Sequence, residues 1–184
     1  MNKFSIDYAE YHIAGMLQKD FSKKNHFSIN IPLSRQQKDY DLILHSGISR
    51  KSLTIQIKSS RTYIDTAIVP GSGLFHYYAW FNTFKISPYC DFYFCYMSYP
   101  LFDPITFRPK AAFDTKILVF NNAEMSNIIN NIKTKKGTVE RFFGFGFNIS
   151  GSNIYGTRGF LGSPAPNFSG HLYSKKLPTL KKLI

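Results

Sequence analysis

The sequence predicts an α/β fold, a central mixed β-sheet flanked by helices. Three observations point there. An early segment has helical periodicity, three alternating segments follow it across short polar connections, and a second helix comes after further apolar runs. The chain has 184 residues and is 43% hydrophobic, so it can bury a sizeable core without disulfides or structural metals. It is too apolar for a disordered chain.

Residues 5–21 predict an amphipathic helix, because Ile6, Ala9, Ile13, Leu17 and Phe21 recur at three- and four-residue spacing. Asp7 followed by Glu10 resembles a capping box. In residues 26–33, Phe27, Ile29, Ile31 and Leu33 alternate onto one face, the pattern of a half-buried strand. Residues 40–45 predict a second strand with Asp41 near its start, 46–52 a turn, and 53–58 a third strand. On that third strand Leu53, Ile55 and Ile57 point one way and Thr54, Gln56 and Lys58 the other. Short connections predict an antiparallel meander.

Residues 61–73, with Pro70, Gly71 and Gly73, read as a loop. The run from Phe75 to Ile86 is apolar all round, and its aromatic content favours strand. Residues 90–99 predict a strand, 100–114 with three prolines a loop, and 116–120 a short buried strand. A helix is expected from Ala123 to Lys133, with Asn122 as N-cap and Met125, Ile128, Ile129 and Ile132 facing inward. Residues 1–133 are therefore expected to form the core. Residues 134–184, rich in Gly, Ser and aromatics, read as a loop-rich basic appendage, with eight Lys and Arg against one Glu.

Twenty-three Lys and Arg against eleven Asp and Glu give a net charge of +12, which attracts polyanions and makes nucleic acid the expected partner. Cys90 and Cys95 are expected on opposite faces of one strand, unpaired, as in a reducing compartment. No signal peptide and no membrane-length apolar run is visible, so a cytoplasmic location is expected. The glycines of Gly144–Gly151 do not follow a strand–loop–helix pattern, which argues against a nucleotide-binding loop. The histidines lack metal-type spacing and read as structural, as does Asp91.

The sharpest feature is Asp41, followed across a short turn by Gln56-Ile57-Lys58. A metal-dependent phosphodiesterase needs hard oxygen ligands for Mg²⁺ and a cation that offsets charge on the phosphate. Asp41 offers a carboxylate and Gln56 an amide oxygen, while Lys58 shares the strand face of Gln56. Taken singly, Asp41 also fits a turn cap, Lys58 a solvated strand end, and Glu10 the capping-box partner of Asp7.

With Glu10 in the first helix, Asp-Tyr-Asp-Leu-Ile-Leu around Asp41 and Thr-Ile-Gln-Ile-Lys-Ser-Ser around Lys58, the chain resembles the PD-(D/E)XK nucleases. It resembles in particular the variants with Gln in the central acidic position, among Mrr-like restriction enzymes and intron-encoded endonucleases. Holliday-junction resolvases share the order but keep an acidic residue where Gln56 stands. The resemblance spans roughly the first hundred residues and implies a restriction-endonuclease-like core in αβββαβ order. It implies Asp41 as principal metal ligand, Gln56 as second ligand, Lys58 as catalytic lysine and Glu10 as a further acidic group near the metal. The activity implied is Mg²⁺-dependent hydrolysis of DNA, with Mn²⁺ as a substitute, by a homodimer or homotetramer acting on double-stranded or branched DNA. Ser59, Ser60, Arg61, Arg141, Arg158, Lys175 and Lys176 are the expected DNA contacts. Tyr40 stands where the family has Pro, and Gln56 lacks a carboxylate's charge. A catalytically inactive DNA-binding protein on the same fold is the runner-up, and a basic RNA-associated protein the third reading.

Overall fold

The computed structural model describes residues 8–32, 38–64, 75–103, 109–148, 153–161 and 164–184. The elements run α1 (Tyr8–Asp20), β1 (Phe27–Asn30), β2 (Leu42–Ser46), β3 (Ser52–Ile64), β4 (Tyr77–Asn82) and β5 (Phe92–Phe102). They continue with β6 (Pro109–Asn121), α2 (Asn122–Asn131), β7 (Phe142–Phe147), β8 (Ile154–Gly156) and α3 (Tyr173–Leu183). The eight strands form one open sheet along the path β1-β2-β3-β4-β7-β8, with β5 paired to β3 and β6 paired to β5. Only β3 and β5 pair in parallel, so the protein is α/β with a mostly antiparallel, mixed sheet.

Strand alternation divides the interior into two cores. Phe92, Phe94 and Tyr96 of β5 join Leu53, Ile55 and Ile57 of β3 on one face, where Ala9, Ile13 and Leu17 of α1 and Leu180 of α3 cover them. Tyr93, Cys95, Met97 and Tyr99 enter the other core with Tyr77, Ala79, Phe81, Phe143, Phe145 and Phe147, under Met125 and Ile128 of α2. This is the two-residue period of a strand buried on both sides.

The early meander forms as expected, and Phe27, Ile29 and Ile31 share the α1-covered core. Residues 5–7 and Leu33 lie outside the described residues, as does most of the loop expected over 61–73. Its first four residues belong to β3, which runs on to Ile64 because it gains two further partners, β5 and β4. Pro104 lies outside the described residues, and Pro100 and Pro109 do not keep their segments out of the sheet. β5 carries Pro100 and β6 begins at Pro109, with a register shift between Pro100 and Phe102. Proline is tolerated there because the β3 ladder has already ended at Ser98, and β6 has no other strand partner among the named strands. Between β3 and β5 the described chain carries a strand, β4, where the αβββαβ order has a helix.

Cys90 precedes β5 rather than lying within it, so the two cysteines share one core instead of facing apart. Both are free, and burial pushes both thiols up, Cys90 to about 11.

The N-cap of α2 is Asn121, one residue before the expected Asn122. Its side chain accepts from the Glu124 N–H, and Glu124 accepts from the Asn121 N–H, each at 2.8 Å. Replacing Asn121 by Ala should lower stability by about 1 kcal/mol, read as a shifted urea midpoint at unchanged slope.

The described residues of 134–184 are woven into the fold. β7 lies between β4 and β8, and Phe143, Phe145 and Phe147 are fully buried among rings contributed by β4, β5 and β6. Alternation explains the Phe-Gly-Phe-Gly-Phe run: each Phe points into the core and each Gly onto the outer face. The far end is docked as well. Lys176 of α3 bonds Glu124 at 2.7 Å, and the Tyr173 hydroxyl donates to Asp20 at 2.8 Å. His171 stands 3.8 Å from Glu124, and burial, then the Lys176 charge, hold its pKa below the usual value.

Candidate active site

Asp41 lies immediately before β2, where its N–H donates to the Ile55 carbonyl at 2.8 Å. The β2–β3 ladder stops at the Leu42–Ile55 pair, so the next amide along β3 takes a side-chain partner. The Ile57 N–H donates to Asp41 Oδ2 at 2.6 Å. That fixes the carboxylate against the backbone of the residue that separates Gln56 from Lys58, a charge-assisted contact of the stronger kind.

Gln56 and Lys58 pair laterally with Tyr93 and Cys95 of β5, so both stand on the α2-covered face. Gln56 is 7% exposed. Its Nε2 donates to the Lys38 carbonyl at 2.9 Å, which orients the amide and leaves Oε1 buried without a hydrogen-bond partner among the described residues. Such an atom is costly unless something occupies it. The Lys58 ammonium lies 4.6 Å from the centroid of the Phe84 ring.

Neighbouring residues that carried little sequence signal complete the site. Asp39 Oδ1 accepts from Ser87 Oγ at 2.7 Å, and the Ser87 N–H donates to Tyr93 Oη at 2.9 Å. Burial pushes the Tyr93 phenol up to about 12. Asn122 Nδ2 donates to the carbonyls of Ser87 and Cys90, both at 2.8 Å, tying this floor to the start of α2. Of these, Asp39 alone lies within the sequence motif, two residues before Asp41. Ser87 and Asn122 reach the site through tertiary contacts. Asp91 is structural, since its Oδ2 accepts from both the N–H and the hydroxyl of Thr54 at 2.8 Å.

Glu10 rides on α1, whose Ala9, Ile13 and Leu17 share a core with Ile55 and Ile57 of β3. The expected DNA contacts are dispersed. Ser60 Oγ donates to the Trp80 carbonyl at 2.8 Å, whereas Ser59 and Arg61 line a cleft beside α1. Arg158 pairs with Glu140 at 3.3 Å and Lys176 with Glu124, so Lys176 is committed to holding α3. Arg141 and Lys175 are exposed.

No cluster of three or more His, Cys, Asp or Glu placed to hold a metal occurs among the described residues. The donors that do fit are hard oxygens, the Asp41 carboxylate and the orphaned Gln56 Oε1. That is a sparse set, and Mg²⁺ accepts one or two protein ligands while keeping its waters. No helix among the described residues is long and apolar enough to cross a membrane. No protein-family model, no curated protein and no solved structure matches the chain.

Proposed function

We propose that the chain is a metal-dependent DNA endonuclease on a restriction-endonuclease-like core. The observation that carries this reading is the Asp41 carboxylate bonded to Ile57 N–H, between Lys58 and a Gln56 whose buried Oε1 has no hydrogen-bond partner among the described residues. The order α1-β1-β2-β3, with a later strand parallel to β3, supports the core. The net charge of +12 supports a polyanionic substrate.

Asp41 and Gln56 would hold Mg²⁺ or Mn²⁺, and the bound ion would supply Lewis acidity to the scissile phosphate and acidify a water. Lys58 orients the attacking water and offsets the charge that builds on the phosphate oxygens. Asp41 is kept in place by Ile57, and Gln56 by the Lys38 carbonyl, so neither depends on substrate for its position. The products are a 5′-phosphate and a 3′-hydroxyl.

The test is a supercoiled plasmid incubated with the purified protein in Mg²⁺, in Mn²⁺ and in EDTA. Nicked or linear DNA is expected with either metal and none in EDTA. Tight, salt-sensitive binding without cleavage in any metal would instead favour the inactive DNA-binding reading, for which the neutral Gln56 amide is the specific support.

A further inference from the structure

The outer face of β4 and β7 carries an aromatic surface that the candidate active site does not use. Tyr63 and Trp80 are 55% and 39% exposed, and their ring centroids lie 4.8 Å apart, tilted by 33°. The Arg158 guanidinium lies 5.6 Å from the Trp80 ring centroid and 4.4 Å from that of Phe142.

Glycine makes this surface possible. A Cβ added at Gly144 would fall 2.5 Å from Trp80 Cδ1 and 3.0 Å from the Ala79 carbonyl oxygen, so only glycine lets the indole settle there. The glycines of the Phe-Gly-Phe-Gly-Phe run thus serve as a floor for rings on one face, while the Phe side chains fill the core on the other. Large aromatics left exposed on a sheet, with cations beside them, are the composition of a base-stacking platform.

The platform continues along β3. Ser59, Arg61 and Tyr63 alternate onto one face of that strand, and Ser59 and Arg61 line a cleft of about 640 Å³ between β3, β5 and the start of α1. At its rim stand Tyr8 and Phe113, 70% and 72% exposed. Aromatic rims, hydroxyls and an arginine suit a nucleotide and its phosphate. Among the described residues, acidic groups beside this surface include Glu140, paired with Arg158, and Asp114 near Phe113.

We propose that this surface binds an unpaired segment of nucleic acid, with one base stacked against Tyr63 and Trp80, its phosphates beside Arg158 and Arg61, and the next nucleotide in the cleft beside α1. The inference rests on the nucleic-acid reading above and narrows it. The preferred substrate is DNA with single-stranded character, such as a flap or a branch, rather than continuous duplex.

Trp80 is the chain's single tryptophan, so its emission reports on this surface alone. The intact protein is titrated in EDTA with a twelve-nucleotide oligothymidine and, separately, with a blunt duplex, following tryptophan emission and the anisotropy of labelled DNA. Oligothymidine should quench Trp80. Tyr63→Ala should weaken oligothymidine binding roughly 5- to 100-fold, the range of one lost stacking contact. Tyr63→Phe should retain binding. The Tyr63→Ala affinity for blunt duplex should stay within about twofold, since the phosphate contacts that dominate duplex binding remain. Saturating anisotropy without any change in Trp80 emission, or equal affinity in Tyr63→Ala, would overturn the proposal. So would Trp80 emission that depends on protein concentration without DNA, because a second copy would then cover the face. EDTA excludes cleavage, so these outcomes are independent of whether the Asp41 site is a nuclease.

Discussion

Asp41→Asn should leave the protein folded and reduce Mg²⁺-dependent DNA cleavage by at least about a hundredfold, the scale of losing one preorganised electrostatic element. The substitution separates two roles. The Asn side chain retains an oxygen that accepts the Ile57 N–H, the bond that fixes this corner at 2.6 Å. It removes the negative charge that a divalent ion needs. Thermal unfolding reads the first effect and single-turnover cleavage the second. Lys58→Met completes the argument from the cationic side. Methionine keeps an apolar stem against Phe84 and loses the ammonium, so a comparable loss of rate at near-unchanged stability assigns the effect to charge.

Phe145→Ala should cost about 3–5 kcal/mol of stability, the usual penalty for emptying a buried phenylalanine site. The ring is fully buried, and its centroid lies 5.2 Å from that of Phe168, 5.9 Å from those of Phe143 and Phe160, and 6.1 Å from that of Phe120. These neighbours come from β6, β7 and the segment after β8, so the site has little freedom to collapse around a cavity. A domain with about 5–15 kcal/mol in total would lose a large fraction of its margin. Urea unfolding measures this directly. A change below about 1 kcal/mol, the scale of an ordinary surface or cap substitution, would mean that β7 contributes little to the core.

The different legibility of the parts has physical causes. The first meander was visible because α1, β1, β2 and the start of β3 each bury one face, which prints a helical or alternating period on the sequence. β5 buries both faces, and β4 carries aromatic rings on its exposed face as well as its buried one, so their apolar runs carry no period to read. The Phe-Gly-Phe-Gly-Phe run of β7 looked like a loop because glycine is depleted in strands. Its glycines are dictated by Trp80 and Phe75, residues about seventy positions away, and local propensity cannot register that. Proline misled for a similar reason, since the ends of β5 and β6 lie where the ladder is incomplete. At the site, the Asp41, Gln56 and Lys58 spacing was legible because it follows from a hairpin. Which sheet face α1 covers is set by tertiary packing, and no spacing encodes that. Ser87, Asn122 and the Asp39 bond emerge only when β3, β5 and α2 are assembled.

The most direct test of the account is the single-turnover cleavage of one end-labelled branched DNA in Mg²⁺ by wild type, Asp41→Asn and Lys58→Met, each first shown to be folded. The account predicts a 5′-phosphate product from wild type and little or none from either variant. Cleavage at the wild-type rate by both variants would place the chemistry elsewhere and contradict the site, and absence of cleavage by wild type on duplex and branched DNA alike would contradict the function.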